Sequence, residues 1–416
     1  MNPQHPAPAA APSLLPRAWW TVGLLWPVAL LNYLDRQMLA TMRLSMQADI
    51  SALQSAENFG RLMAVFMWVY ALCSPLGGLV ADRLSRKWLV VGSLSVWSVV
   101  TLLMGYATDF ESLYWLRAFM GVSEALYIPA GLALLVDFHP GPTRSLAVGV
   151  HMSGLYFGQA LGGVGGWIAQ DLSWRSAFGW CGTLGVAYSL VLVWLLREAR
   201  PATGAPHRQP GANPAGGGTP DWVGVALLAL CFTLPSLPGW AVKNWLPTLL
   251  QDRFGFDQKT SGLLATTSTS LAGLCGVVLG GKLSDVWARR GPRGRTRVST
   301  LGLVLLVPAL AGIGLAPGAA LVVLCAVLYG IGFGLFDANN MPILCQFLPP
   351  RLRATGYGLL NFVGIAVGAW LTPLLGRLKD HGVPLAQGFA LTAAPALLAA
   401  LLMWRLRPSQ QDCAAP

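Results

Sequence analysis

Residues 78–87 read GLVADRLSRK, residues 281–290 read GKLSDVWARR, and this repeat decides how the chain is organised. Both stretches have a Gly, three further residues, an Asp, three further residues and then two basic residues. They lie 203 residues apart, and each follows a long apolar stretch. Recurrence of one motif at equivalent positions indicates a chain built from two related halves.

The composition around this repeat is that of a membrane protein. Of the 416 residues, 54% are hydrophobic and 11% are charged, whereas an ordinary soluble chain has roughly 25% charged residues. So few charges cannot cover a soluble surface of this size, and such high hydrophobicity excludes disorder. The net charge of +11 does not indicate nucleic-acid binding, because the basic residues lie in short loops between apolar segments.

Twelve apolar segments account for nearly the whole chain, and each is about long enough to cross a bilayer as a helix. We therefore predict an all-α polytopic membrane protein with twelve transmembrane helices in two pseudo-symmetric six-helix bundles. The predicted segments are 19–41, 57–81, 88–107, 112–136, 144–169, 174–196, 221–250, 259–284, 298–316, 318–346, 353–376 and 384–404.

The loops predict the domain organisation and the orientation. A Pro/Gly-rich linker at 197–220 separates an N-terminal bundle at 19–196 from a C-terminal bundle at 221–406. Lys and Arg residues outside the segments are divided seventeen to six in favour of the side that holds both termini. This asymmetry predicts a multi-pass protein of a bacterial-type inner membrane, with cytoplasmic tails at 1–18 and 407–416.

Two six-helix halves related by a parallel repeat resemble the transporters of the major facilitator superfamily. In that superfamily the repeated loop is a gating and structural feature. We expect its glycines to allow close helix packing and its acids to pair with Arg on a neighbouring helix. The residues of this gating motif are Gly78, Asp82, Arg83, Arg86, Gly281, Asp285 and Arg289.

Ionisable residues inside the apolar segments are functional candidates, because a charge within a bilayer is costly. Arg117 and Glu124 lie seven residues apart and share one helical face. Near the middle of its segment, Glu124 is expected to bind and release a proton, the alternative being a permanent structural pair with Arg117. The adjacent Asp35 and Arg36 point about 100° apart on a helix, so that one can face a cavity while the other contacts a neighbouring helix.

Several motifs resemble the anion:cation symporter family within this superfamily. They are NYLDR at 32–36, RAFMGVSE at 117–124 and NWLP at 244–247. The positions of Tyr70 and Asn361 also match that family, and Gln159 lies about one turn from its expected Gln. The family includes bacterial sugar-acid transporters and animal sialic acid and vesicular glutamate transporters.

This resemblance implies roles for individual residues. Asp35 and Glu124 would be the proton-coupling carboxylates. Because Asp35 is adjacent to Arg36 and would compete with a substrate for it, we also expect protonation of Asp35 to release Arg36 to the substrate anion. Lys243 falls where some animal relatives carry a basic residue, and its alternative role is snorkelling to the outer interface. The implied substrate-binding residues are Tyr33, Arg36, Tyr70, Arg117, Gln159, Lys243 and Asn361.

Together these observations predict a secondary active transporter, in which a small organic anion moves with protons by alternating access. The alternatives are a spinster-like lipid or drug exporter and a non-transporting sensor on the same fold. Residues 276–282 resemble a phosphate-binding loop, but Leu283 replaces the required Ser or Thr. We expect no enzyme activity, cofactor, metal or nucleic-acid partner. The expected partners are the anion, protons and the bilayer, with a monomer as the functional unit.

Overall fold

The computed structural model describes residues 15–81, 83–139, 143–198, 222–348 and 352–407, and these ranges are almost wholly helical. The helices in chain order are α1 (Leu15–Thr41), α2 (Arg43–Asp49), α3 (Ala56–Ala81), α4 (Arg86–Met104), α5 (Phe110–Phe138), α6 (Arg144–Leu161), α7 (Gly163–Asp171), α8 (Trp174–Leu195), α9 (Trp222–Phe254), α10 (Gln258–Ala288), α11 (Gly294–Leu315), α12 (Ala319–Asp337), α13 (Asn340–Phe347), α14 (Arg353–Asp380), α15 (Leu385–Leu391) and α16 (Ala393–Arg405).

Twelve membrane passes follow from this order, as predicted. Three of them are broken into the helix pairs α6–α7, α12–α13 and α15–α16, while α2 lies in a loop. Within the described part of the chain, ten passes are long and apolar enough to cross a membrane on composition alone. The other two are α1 and α6–α7, which carry the buried polar residues Asn32, Asp35 and His151.

The two halves meet along two helix contacts related by the repeat. Helix α3 packs against α14, and helices α6 and α7 pack against α10. The backbones approach closely, because a Cβ at Gly60 would lie 2.7 Å from Pro373 Cα and a Cβ at Gly163 would lie 2.7 Å from Leu263 Cα. We call the face at which α1 and α9 begin the terminal face, and the opposite face the distal face.

Hydrogen bonds join the halves at the distal face. The Asp380 carboxylate at the end of α14 accepts from the Ser55 hydroxyl at 2.7 Å. It also accepts from the backbone N–H groups of Ala56 at 2.8 Å and Glu57 at 2.9 Å. The first turn of α3 is therefore capped by the other half of the protein. Beside the second contact, the Gln258 amide of α10 donates to the Ser45 hydroxyl of α2 at 2.7 Å.

Near the terminal face, each ion pair among the described residues joins two residues of the same half, so none of these pairs links the halves. Arg86 pairs with Asp137, and Arg295 pairs with Asp285 at 3.9 Å. On α14, close to this face, Tyr357 is 45% exposed. The halves are thus joined at the distal face, and the exposure of Tyr357 indicates a space between them that opens towards the terminal face, which we call the cavity.

The repeated motif differs in one respect from its prediction. A Cβ added at Gly78 or Gly281 would meet nothing within 4 Å, so neither glycine is needed for helix packing here. The preceding glycines make the close contacts. A Cβ at Gly77 would lie 2.5 Å from the Ala125 carbonyl oxygen, and one at Gly280 would lie 2.9 Å from Leu335 Cα.

The charged members of the motif can be placed in part. The Asp285–Arg295 pair joins α10 to α11, as expected of an acid at this position. Arg83 and Arg289 are exposed. Asp82 lies outside the described residues, as do most of the predicted linker and both tails.

Candidate substrate site

An ion pair between α1 and α5 forms the centre of the candidate site. Arg36 Nε donates to Glu124 Oε2 at 2.5 Å. The Glu124 side chain is 0% exposed and the Arg36 side chain is 15% exposed. Arg36 is therefore the member of the pair that reaches the cavity, while the carboxylate lies behind it.

Three aromatic rings hold the Arg36 guanidinium in place. Its Cζ lies 4.8 Å from the Tyr33 ring centroid, 5.0 Å from that of Phe66 and 4.4 Å from that of Tyr70. Phe66 and Tyr70 are one turn apart on α3 and stack at 5.8 Å. These cation–π contacts position the guanidinium without neutralising it, so its positive charge is balanced by Glu124.

Arg117 lies behind this cage and does not pair with Glu124. Arg117 is 2% exposed, and its guanidinium carbon lies 4.8 Å from the Phe66 ring centroid. It also contacts the Met120 sulfur at 3.4 Å. The alternative of a permanent Arg117–Glu124 pair is therefore wrong, because Arg36 from another helix occupies the carboxylate.

Asp35 turns away from Arg36 towards α4. It is 2% exposed, and its Oδ2 accepts from the Thr101 hydroxyl at 3.3 Å. Its Oδ1 is buried without a hydrogen-bond partner in the described structure. The expectation that Asp35 holds Arg36 is thus wrong, because the two adjacent side chains leave α1 in different directions.

The C-terminal half contributes two charged residues to the cavity, Lys243 and Asp337. The Lys243 ammonium on α9 lies 5.2 Å from the Trp240 ring centroid and 6.0 Å from that of Phe333. Asp337 and Arg36 are the charged groups that act on it electrostatically. The Lys243 carbonyl accepts from the Gln37 amide of α1 at 2.6 Å. Lys243 therefore lies between the halves, and not at an outer interface.

Two predicted site residues stand apart from this centre. The Gln159 amide is buried and donates to the Leu155 carbonyl of its own helix at 3.4 Å. Asn361 is exposed one turn after Tyr357 on α14. The structure therefore brings together Tyr33, Arg36, Tyr70, Arg117 and Glu124. Among the described residues, neither Gln159 nor Asn361 makes a hydrogen bond to any of these five.

Sequence reasoning missed two aromatic residues of the site, Phe66 and Tyr156. Phe66 and Tyr156 lie in apolar stretches, where they cannot be told from core residues. A signal existed for Phe66, since it lies four residues before Tyr70 on one helical face. Asp337 lies in the polar run 337–340 of the tenth segment, which sequence alone interprets either as a secondary site candidate or as a polar seam between helices. Among the described residues, no group of three His, Cys, Asp or Glu side chains forms a metal site.

Comparisons with known proteins agree with this architecture. The D-galactonate transporter of Escherichia coli O6:H1 is 26% identical, covering 95% of this chain and 96% of the relative. The 3-(3-hydroxy-phenyl)propionate transporter of Escherichia coli K12 is 28% identical, covering 96% and 97%. A bacterial homologue of the human lysosomal transporter Spinster, solved inward-facing and occupied, has a TM-score of 0.77 at 19% identity, covering 98% of this chain and all of that one.

The family assignment rests on the sequence profile as well as on these relatives. The profile of the Major Facilitator Superfamily matches residues 25–373, which is most of the chain. The described helices show the corresponding fold, and the relatives are named as transporters. The chain therefore belongs to the Major Facilitator Superfamily and is a membrane transporter, not an enzyme.

Proposed function

We propose that this protein is a proton-coupled symporter of a small organic anion, working by alternating access. One observation carries the proposal, namely that the cavity-facing cation Arg36 is held by a fully buried carboxylate, Glu124. A substrate carboxylate and the Glu124 carboxylate would compete for the same guanidinium. Protonation of Glu124 removes the competitor, so the anion and the proton bind together.

The aromatic cage formed by Tyr33, Phe66 and Tyr70 keeps Arg36 in position during this exchange. When Glu124 is protonated, Arg36 remains positioned by Tyr33, Phe66 and Tyr70. Its planar guanidinium can then donate to a substrate carboxylate in the two-bond geometry that Arg favours. When Glu124 loses its proton, its carboxylate pairs with Arg36 again and displaces the substrate anion.

Asp35 is proposed as a second proton carrier beside the first. It is buried close to Glu124 and Arg117, and each of these charges acts on it electrostatically. It touches Thr101 and does not touch the anion-binding guanidinium. A proton on Asp35 would therefore change the charge of the bundle interior without changing the substrate contacts.

The relatives support an organic anion as substrate. Two of them are named for D-galactonate and for 3-(3-hydroxy-phenyl)propionate, and both compounds are carboxylates. The likeness to the Spinster homologue is at 19% identity and concerns the fold alone. Arg36, Arg117 and Lys243 favour an anion over the lipid or drug of the alternative, for which an aromatic and aliphatic lining would suffice.

Uptake into proteoliposomes tests this function. Vesicles buffered at pH 7.5 and diluted to pH 6 should accumulate labelled D-galactonate or 3-(3-hydroxyphenyl)propionate above the outside concentration. An uncoupler should abolish the accumulation. Glu124→Gln should lose it, whereas Glu111→Gln, an exposed Glu at the start of the same helix, should retain it. Gradient-independent equilibration in the wild type would refute proton coupling.

We also propose that both termini are cytoplasmic in a bacterial-type inner membrane, from the excess of Lys and Arg in the loops of the terminal face. The cavity would then be open to the cytoplasm in this conformation. Fusing alkaline phosphatase to the C-terminus should give an inactive reporter, whereas a fluorescent protein at the same place should fold. An active phosphatase fusion would reverse the orientation.

A further inference from the structure

Asp337 lies on the cavity wall at the point where the tenth membrane pass is broken. It is the last residue of α12, and α13 begins at Asn340. Although it sits deep in the bundle, its side chain is exposed because it lines the cavity. The function proposed above gives this acid no role.

The Asp337 carboxylate is held in a fixed orientation by one donor on each oxygen. The Tyr156 hydroxyl of α6 donates to Oδ2 at 3.2 Å, and the Asn340 amide donates to Oδ1 at 2.9 Å. An ionised carboxylate has about four acceptor positions. Two positions therefore remain for donors that enter from the cavity.

Asp337 faces the same space as the proposed anion site. Lys243 lies between the two residues. Its carbonyl accepts from the amide of Gln37, which follows Arg36 on α1, at 2.6 Å, and its ammonium lies 6.0 Å from the ring of Phe333, one turn before Asp337 on α12. A small molecule bound to Arg36 at one end would therefore extend past Lys243 towards Asp337.

We propose that Asp337 determines substrate specificity, by accepting hydrogen bonds from hydroxyl groups at the end of the substrate remote from its carboxylate. The inference rests on the proposed function and narrows the substrate to hydroxylated monocarboxylates. Hydroxyl groups can donate to the free acceptor positions of Asp337. A second carboxylate cannot donate, and it would be repelled by the negative charge.

D-Galactonate and galactarate form a matched pair of probes for this inference. Both are six-carbon polyhydroxy acids, and they differ only at the terminal carbon, which bears a hydroxyl in galactonate and a carboxylate in galactarate. A hydrogen bond to a charged group changes affinity by about tenfold or more. Wild-type protein should therefore bind galactonate at least about tenfold more tightly than galactarate.

The test is the dissociation constant of each probe, measured at pH 6 by calorimetry on the purified full-length protein. Asp337→Asn should reduce the preference for galactonate to within about threefold, because the amide removes the charge and can donate to a carboxylate. Asp337→Glu should preserve the preference. Asp252→Asn is the matched control, since this exposed acid pairs with Lys379 at 3.1 Å at the distal face and should retain the wild-type ratio.

The outcomes separate this inference from the function on which it rests. If wild-type protein binds both probes and Asp337→Asn keeps the wild-type ratio, the role of Asp337 is refuted and the anion site stands. A wild-type preference for galactarate refutes it equally. If wild-type protein binds neither sugar acid, this inference fails, and proton-driven uptake of 3-(3-hydroxyphenyl)propionate decides separately whether the proposed function survives.

Discussion

Arg36 Nε lies 2.5 Å from Glu124 Oε2, and both residues belong to the N-terminal half. The exchange between proton and substrate anion can therefore take place within one bundle, before the two bundles move. Because the pair is buried, removal of either partner leaves an uncompensated charge. This single contact between Arg36 and Glu124 would couple proton binding to anion binding.

Replacing Arg36 should weaken anion binding more than any other change in the N-terminal half. Arg36→Ala should raise the dissociation constant about ten- to a hundredfold, as expected for a lost charge-assisted contact. Arg36→Lys keeps the charge but loses the planar contacts with the aromatic cage, so its affinity should be intermediate. Calorimetry on folded variants checks the order, and wild-type affinity in Arg36→Ala would remove this residue from the site.

Asp35→Asn should separate coupling from binding. The amide oxygen can still accept from Thr101, and the Arg36–Glu124 pair is untouched. Affinity should therefore stay within about threefold of wild type, with the same pH profile, while accumulation against a gradient is lost. Parallel binding and uptake measurements check this. If binding becomes independent of pH, Asp35 and not Glu124 controls Arg36.

The distal contact of Asp380 should bias the conformational equilibrium. Asp380→Ala removes three hydrogen bonds between the halves, so the distal-open state should gain population, by about tenfold if the net effect is near that of one strong bond.

Spin labels on Glu111→Cys and Ala320→Cys, in a cysteine-free background, would report this opening as a longer interspin distance. Both positions are exposed at the distal face, one in each half. Asp252→Ala removes an acid whose partner lies in its own half, and its distance distribution should match that of the parent. An unchanged distribution in Asp380→Ala would show that the contact does not hold the distal face closed.

Adding a methyl group at Gly77 and at the adjacent Gly78 on α3 should have opposite effects on the stability of the fold. In Gly77→Ala the new Cβ would meet the Ala125 carbonyl oxygen at 2.5 Å, and overpacking of this kind destabilises by about 1–3 kcal/mol. Gly78→Ala meets open space and should be neutral or slightly stabilising, because Ala favours a helix. Thermal unfolding in detergent compares the two. Equal melting temperatures would contradict the packing described for α3 and α5.

The sequence was sufficient for the fold and for part of the site. Segment hydropathy and a repeated motif are local signals, so twelve helices in two bundles could be predicted. The spacing of Arg117 and Glu124 placed them on one face, but it could not show that Arg36 from another helix occupies the carboxylate. Nor could adjacency show which of Asp35 and Arg36 faces the cavity, because this depends on the rotation of α1 within the bundle.

Residues of the C-terminal half were harder to predict for a related reason. The contact between Tyr156 and Asp337 joins residues 181 positions apart, and no local pattern links them. The prediction assigned close helix packing to Gly78, whereas the adjacent Gly77 makes that contact. The sequence cannot tell the two glycines apart, because only the packing of α3 on α5 distinguishes them.

The affinity of wild type and of Glu124→Gln for D-galactonate, measured between pH 5 and pH 8, shows whether Glu124 carries the coupling proton. Competition for Arg36 predicts that wild-type affinity rises as pH falls, by at most about tenfold per pH unit for one linked proton. Glu124→Gln should bind at the low-pH affinity throughout, with a flat profile. If Glu124→Gln retains the wild-type slope, the coupling proton does not reside on Glu124, and competition between Glu124 and the substrate for Arg36 is refuted.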